Sequence, residues 1–437
     1  RDQFPFHEYP FNHIEGCHVQ IPFFLTSFHL VHHLEDAEEY LERLDGIPEK
    51  IEQIMLLNKW KKDSLGYVPN LKILEAIEKQ ILIFTEKGLE GNLLYEDFSK
   101  KVMKLENVPQ ESLDEMRYKI RREIEDAVIP AYRSLLEQVR AFKNVASDIP
   151  GVWQYDLDYY YYVLSEHLGT DYEKIVNDFQ PDTLYFQLKE ELTTCKQTLV
   201  ENFKKINIEG KNLSDCLQKL KQQTAFYYRN DSYGRINFLN DLNLMNYNFA
   251  KKVSAKLDIQ VKAQVEAKRM LELQEPFFTP FFYVAPSLDG KRSGEILVRL
   301  DNLQELPKFG LSAYAIEWSY PGMHLQQASV VESKLPSLRK MFQITYFNEG
   351  WRHYAKHLAV EEGICEDNKT ALIFGLSEVY LLASAMTDIG VHHLRWGYER
   401  AFLFFQEQTA APEEIAQAYL LEIMAMPGKS VAAYCGN

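Results

Sequence analysis

Cysteine is scarce and poorly placed for pairing: five thiols, Cys17, Cys195, Cys216, Cys365 and Cys435, are spread over 437 residues. They form no CxxC pair and are odd in number, which excludes a disulfide scaffold or a cysteine-based zinc site and leaves room for one bridge at most conjecturally paired. Long apolar runs are lacking too. The most apolar stretch, Ala371 to Val391, is interrupted by Glu378 and Asp388, so no transmembrane segment is expected. There is no long basic block, and the formal charge is −15 with a pI near 5.4. Such a surface repels phosphate backbones and argues against a nucleic-acid partner. GxGxxG, GxSxG and HExxH are all absent, which removes the dinucleotide fingerprint, the nucleophile elbow and the ordinary zincin helix. Pro427-Gly428-Lys429-Ser430 ends like a phosphate loop, but Ile423 stands where the first glycine belongs and the context is a helix end.

What is present is ordinary globular composition, 46% hydrophobic and 25% charged, with no repeat or low-complexity tract. The expectation is one domain over 1–437. A polar segment at Asn230–Arg235 suggests two lobes, a mainly helical one over 1–230 and a second over 231–437 with a small sheet. Apolar residues at three- and four-residue spacing predict helices over Ala37–Leu44, Pro48–Lys62, Asn70–Lys87 and Leu113–Asn144, the last broken or kinked at Pro130. More follow at Tyr155–His167, Asp182–Lys204, Leu213–Tyr227 and Leu242–Leu257. Alternation over Ile259–Val265 reads as a strand, and Pro280–Pro286 and Gly294–Leu300 as two more, joined by the turn Leu288–Ser293. Helices resume at Pro307–Trp318, Leu325–Ser333, Leu338–Glu361, Thr370–His393, Gly397–Gln408 and Pro412–Met426. The fold class is therefore mainly α with a small β-sheet, α+β.

The start of the chain is rich in histidine: His7, His13, His18, His29, His32 and His33. His29, His32 and His33 have helical i, i+3, i+4 spacing that suits a metal, yet no cysteine or carboxylate completes a set, and packing or surface histidines are the plainer reading.

The informative segment is Leu311-Ser312-Ala313-Tyr314-Ala315-Ile316-Glu317-Trp318-Ser319-Tyr320-Pro321-Gly322-Met323-His324-Leu325-Gln326. It resembles the hallmark of a large bacterial family of unknown function in which a helix carries H-E-A-x-P-G-H-H-L-Q, a family grouped with the gluzincin-like metallopeptidases. Glu349-Gly350-Trp351-Arg352-His353-Tyr354-Ala355 is similar to its E-G-W-x-x-Y-A. Pro286 to Gly294 is similar to its P-S-x-D-G-x-R-P-G turn, Asp388-Ile389-Gly390-Val391-His392 to its D-T-G-I-H, and Pro427-Gly428 to its P-G-Q. Asp36 to Leu44 also fits its early pattern. The resemblance spans nearly the whole chain and implies a gluzincin-like architecture.

The departures matter more. Aligned on Pro321-Gly322, Glu317 takes the place of the family's first histidine ligand, Trp318 that of the catalytic glutamate, and Met323 that of the first of two paired histidines. His324 and Glu349 remain, and Lys429 replaces the glutamine after Pro-Gly. Hydrolysis by a metal-bound water needs a base beside the metal, and indole has no basic lone pair. No catalytic residue is therefore assigned. Candidate metal ligands are Glu317, His324, Glu349 and His353, with zinc or another divalent ion as the cofactor if one is used. The plainer alternative pairs Glu317 and Glu349 with Arg, Lys or His. Tyr283, Arg292, Tyr320 and His392 are candidates for lining the cleft. The resulting expectation is a degenerate, non-catalytic metallopeptidase-like protein whose cleft either binds a peptide or small ligand or serves only as scaffold. A divergent metal-dependent hydrolase using Glu317, His324 and Glu349 is one alternative, and a structural or interaction protein is another. Exported family members, and Arg1 in place of an initial Met, point to a periplasmic or lipid-anchored location; the cytoplasm stays open.

Overall fold

A computed structural model describes Phe4 and residues 11–436, apart from 107, 343 and 366; His7 lies outside the described residues. The chain divides into two compact units, Arg1–Ile149 with Leu271–Phe277, and Pro150–Met270 with Phe278–Asn437. The polar segment 230–235 lies inside the second unit, at the start of a helix.

The first unit carries helices α1 (Cys17–Phe23), α2 (Leu34–Asp45), α3 (Ile47–Leu65), α4 (Leu71–Thr85), α5 (Leu93–Val102), α6 (Gln110–Glu123) and α7 (Ile129–Lys143). Asn70 and Asn92 start α4 and α5 by accepting the amides of Lys72 and Leu94. The long helix expected over Leu113–Asn144 is interrupted: a π turn, Ile124–Val128, separates α6 from α7, and Pro130 sits in the first turn of α7. Proline there needs no amide donor, whereas deeper in a helix it would cost a bond. The helical spacing of His29, His32 and His33 is not realised. All three lie in the chain leading into α2, with His29 buried and His32 and His33 exposed. His29 Nε2 bonds the Asp36 carbonyl at 2.8 Å and its other nitrogen meets Arg43. The amides of His32 and His33 donate to the Asp36 carboxylate at 2.7 and 2.9 Å.

The second unit carries α8 (Leu157–Leu168), α9 (Tyr172–Asp178), α10 (Pro181–Lys204), α11 (Leu213–Lys221), α12 (Ser232–Leu257), strands β1 (Val265–Arg269), β2 (Phe281–Val284) and β3 (Gly294–Val298), then α13 (Leu311–Trp318), α14 (Met323–Glu332), α15 (Ser337–Met341), α16 (Thr345–Glu361), α17 (Asn368–His392), α18 (Tyr398–Thr409), α19 (Glu413–Ala425) and α20 (Lys429–Cys435). The mainly helical, α+β reading holds, with 68% helix and one three-stranded sheet. The sheet order is β1-β3-β2, with β3 parallel to β1 and antiparallel to β2.

Two expectations need correction. The first strand is Val265–Arg269, not Ile259–Val265. The amides of Lys262 and Ala263 donate to Glu332 Oε1 at 2.6 and 2.7 Å, so that backbone is satisfied by a carboxylate and not by a ladder. The helix expected over Leu338–Glu361 is two, α15 and α16. The core of this unit forms around α17, which packs along α10 and against α18, α19 and α20. α17 is the one described helix long and apolar enough to cross a membrane, yet 61% of its apolar window is buried inside the protein. All five cysteines are free thiols.

Candidate functional site

The candidate ligands sit on three helices of the second unit. α13 ends at Trp318 because the chain then turns through Ser319, at φ −119° and ψ −94°, into a cis Tyr320–Pro321 peptide. Gly322 closes the break: a Cβ there would stand 2.0 Å from the Glu317 carbonyl oxygen. Only glycine allows that approach, and α14 can then start at Met323. α16 brings Glu349, Arg352, His353 and Lys356 to the same place, and α17 brings Ser377 and Glu378. Trp351 ties α16 to the break by donating from Nε1 to the Pro321 carbonyl at 2.9 Å. Gly350 lets the backbone at Gly436 approach, since a Cβ would stand 2.2 Å from the Gly436 carbonyl oxygen.

The centre of the cluster is Arg352. Its Nη1 donates to Glu317 Oε2 at 2.7 Å, its Nε to Glu349 Oε2 at 2.9 Å, and its Nη2 to His353 Nε2 at 2.8 Å. Its guanidinium carbon lies 4.8 Å from the centre of the Trp318 ring, which stacks on Phe281. Ser377 Oγ donates to Glu317 Oε2 at 3.0 Å. Lys356 Nζ lies 2.9 Å from His353 Nδ1 and donates to Glu378 Oε2 at 3.0 Å. The Arg352, Glu317 and Lys356 side chains are 13%, 5% and 4% exposed, so these pairs are screened little by water. Burial opposes the Arg352 charge, but Glu349 and Glu317 outweigh it and push the guanidinium pKa above its ordinary value. Burial first, then Arg352 and Lys356, hold His353 well below the usual imidazole range.

His324 is held elsewhere. Its Nε2 donates to the Ala263 carbonyl at 3.0 Å, so Nδ1 accepts from the Tyr283 hydroxyl at 2.8 Å. Burial lowers its pKa to about 4, and the Ala263 carbonyl pulls the other way. The Tyr320 ring meets the imidazole edge-on at 5.1 Å. Gly294 makes room for this pair, because a Cβ there would stand 2.7 Å from both His324 Nδ1 and the Tyr283 hydroxyl oxygen. Both nitrogens of His324 are thus spent on neighbours that Glu317 and Glu349 do not share.

Arg292 finishes the β2–β3 turn: Nη2 donates to the Ala285 carbonyl at 2.6 Å and Nη1 to that of Ser293 at 3.0 Å. His392 is 14 residues beyond Glu378 on α17. At 1.5 Å per residue that is about 21 Å along the helix. There it accepts from the Val152 amide at 3.3 Å, donates to the Ile423 carbonyl at 2.9 Å and stacks on Tyr160. The rest of that motif is also structural. Asp388 accepts from Tyr160 and from the Gly428 and Ser430 amides at 3.0, 3.0 and 3.2 Å, and Gly390 lies against Trp396.

The donor set does not fit a divalent ion. Glu317, Glu349 and His353 converge on a guanidinium that cannot lose its proton, and His324 faces another neighbourhood. Among the described residues no three His, Cys, Asp or Glu side chains could hold a metal. Arg352, Lys356, Ser377 and Glu378 were not singled out by the sequence. Glu349 and Arg352 have the i, i+3 spacing of a helical ion pair, a signal that was available. Lys356 with Glu378 required the pairing of α16 with α17 in space.

Comparison with known proteins adds the family. The model of a bacterial family of proteins of unknown function, DUF885, matches residues 2–437. A solved structure of a putative lipoprotein from Colwellia psychrerythraea is similar with a TM-score of 0.89 and 22% identity, over 98% of this chain and 72% of that one. A putative lipoprotein of unknown function from Shewanella oneidensis is similar with a TM-score of 0.56 and 14% identity, over 92% and 70%. These likenesses show the fold alone. No curated protein matches the chain. On the strength of a family match from end to end, this chain belongs to the DUF885 family of bacterial proteins of unknown function.

Proposed function

We propose that this chain is a non-catalytic member of its family, built on a metallopeptidase-like frame that binds a peptide or small molecule without cleaving it. The observation that carries the reading is Arg352, whose guanidinium bonds Glu317, Glu349 and His353 at once. A fixed positive charge stands where those side chains would otherwise collect a cation. Trp318 supports the same reading: in the resembled motif its place belongs to the catalytic glutamate, and its ring packs against Arg352 and Phe281. In this reading the old ligands hold α13, α16 and α17 together.

The test is hydrolysis of a mixed set of fluorogenic peptides with and without a zinc chelator. The expected result is no turnover above buffer, unchanged in Glu349→Ala. Chelator-sensitive turnover that disappears in Glu349→Ala would overturn the reading.

We also propose an extracytoplasmic location, supported by the likeness to the putative lipoproteins of Colwellia and Shewanella. Cell fractionation of the natural gene product, with labelled palmitate, tests it: recovery in the soluble cytoplasmic fraction without label would refute it.

A further inference from the structure

The segment between α14 and α16 combines two features. From Ser333 to Phe347 the sequence holds Lys334, Arg339 and Lys340 and no acidic residue, in a protein of net charge −15. The same segment exposes large apolar side chains: Leu338 is 69%, Met341 66%, Phe342 70% and Phe347 52% exposed. Leu338 and Met341, at i, i+3 spacing, fall on one side of α15, and Phe342 follows at its extended C-cap. α15 has no buried residue. Lys334 and Arg339 are exposed and form no ion pair among the described residues, whereas Lys340 is turned back to the Val331 carbonyl at 2.7 Å. The flanking carboxylates are engaged elsewhere, Glu332 with the Lys262 and Ala263 amides and Glu349 with Arg352. The far end of the segment is anchored: Thr345 bonds His167 at 2.9 Å, and Ile344 packs on Gly169.

An exposed apolar tip usually marks a contact surface, since single exposed residues are common but clusters are not. Basic side chains beside such a tip are the chemistry of a headgroup layer: the apolar groups enter the acyl boundary while the cations meet lipid phosphates. An acidic protein is repelled from an anionic bilayer wherever its carboxylates face it, and a face that offers cations instead lowers that cost. We propose that residues Lys334–Phe342 dock the protein on an anionic phospholipid surface, with Leu338, Met341 and Phe342 inserted and Lys334 and Arg339 on the phosphates. Binding would be reversible and salt-sensitive, because two unpaired cations and a small apolar tip make a weak anchor. The inference holds on either side of a membrane and is independent of catalysis, so its failure leaves the non-catalytic reading intact.

The test is co-sedimentation of the 437-residue chain, expressed by itself, with phosphatidylcholine vesicles carrying a minority of phosphatidylglycerol, and with phosphatidylcholine alone. Expected is binding to the anionic vesicles that falls with added salt and is much weaker on neutral ones. Lys334→Ala with Arg339→Ala should weaken it about 25-fold, from roughly fivefold per basic residue at a membrane surface. Leu338→Ala with Phe342→Ala should weaken it comparably, with thermal midpoints unchanged because all four side chains are exposed. The emission of Phe342→Trp should shift to the blue on adding anionic vesicles. No binding to anionic vesicles, binding unchanged in both double variants, or self-association through this face without lipid binding would overturn the proposal.

Discussion

At Arg352 one side chain satisfies three groups that sequence reasoning treats as metal ligands. Removing one partner of a buried pair leaves the other charge uncompensated, at a cost of roughly 3–5 kcal/mol. Arg352→Met should therefore destabilise the fold by about that much in denaturant titrations, and adding Glu317→Gln should recover part of the loss. Purely additive effects would mean that Arg352 and Glu317 are not coupled. Gly294 makes a sharper test at the second histidine. Gly294→Ala places a methyl 2.7 Å from both His324 Nδ1 and the Tyr283 hydroxyl oxygen, and should cost about 1–3 kcal/mol through the broken bond. Unchanged stability would contradict the close packing of this pair. The residue scale is also where the sequence was least legible. That Trp318 cannot act as a base could be read directly, since indole chemistry needs no coordinates. The partner of Glu317 could not, because Arg352 lies 35 positions away on another helix.

Among elements, the long periodic helices were legible and their ends were not. α4, α10, α17 and α19 lie within a few residues of their expected spans, because their apolar residues recur over many turns; α10 buries one face, whereas α17 is enclosed all round from Leu381 to His392. The short helices α1, α5, α9 and α20 were not anticipated, since seven to ten residues carry too few periods to separate helix from loop. The break between α15 and α16 and the late start of β1 depended on tertiary partners. The turn before α20 depends on its glycine. Gly428 has φ +80°, and its amide and that of Ser430 are held by Asp388 on α17. Gly428→Ala must adopt a left-handed conformation beside Leu164 and should cost about 1–2 kcal/mol, measured by chemical denaturation. A neutral result would mean that the turn can rearrange.

For the whole molecule, titration of buried groups sets the response to pH. Burial lowers His13 to about 3, and His18, His324 and His392 to about 4, from an ordinary value of 6.5. Between about pH 4 and 6.5 the unfolded chain binds protons at these rings that the folded chain refuses, so stability rises with pH across that window. Burial pushes the Asp388 carboxyl up to about 7 against the pull of the Gly428, Tyr160 and Ser430 donors. This group has the opposite sign: the folded state keeps a proton that the unfolded state releases above about pH 4, and its contribution falls as pH rises toward 7. Four histidines outweigh one carboxyl. The denaturant midpoint should climb from pH 4.5 to 6.5, and more steeply in Asp388→Asn; a flat or falling profile would contradict the burial of these rings.

The proposed reading gives Arg352 the three side chains that a divalent ion would need. It is tested most directly by plasma mass spectrometry of untagged protein incubated with excess zinc or manganese and then desalted. Metal well below one equivalent, the same in Glu349→Ala as in the parent chain, is the expected result. Near-stoichiometric metal that is lost in Glu349→Ala would contradict it and return the chain to the hydrolases.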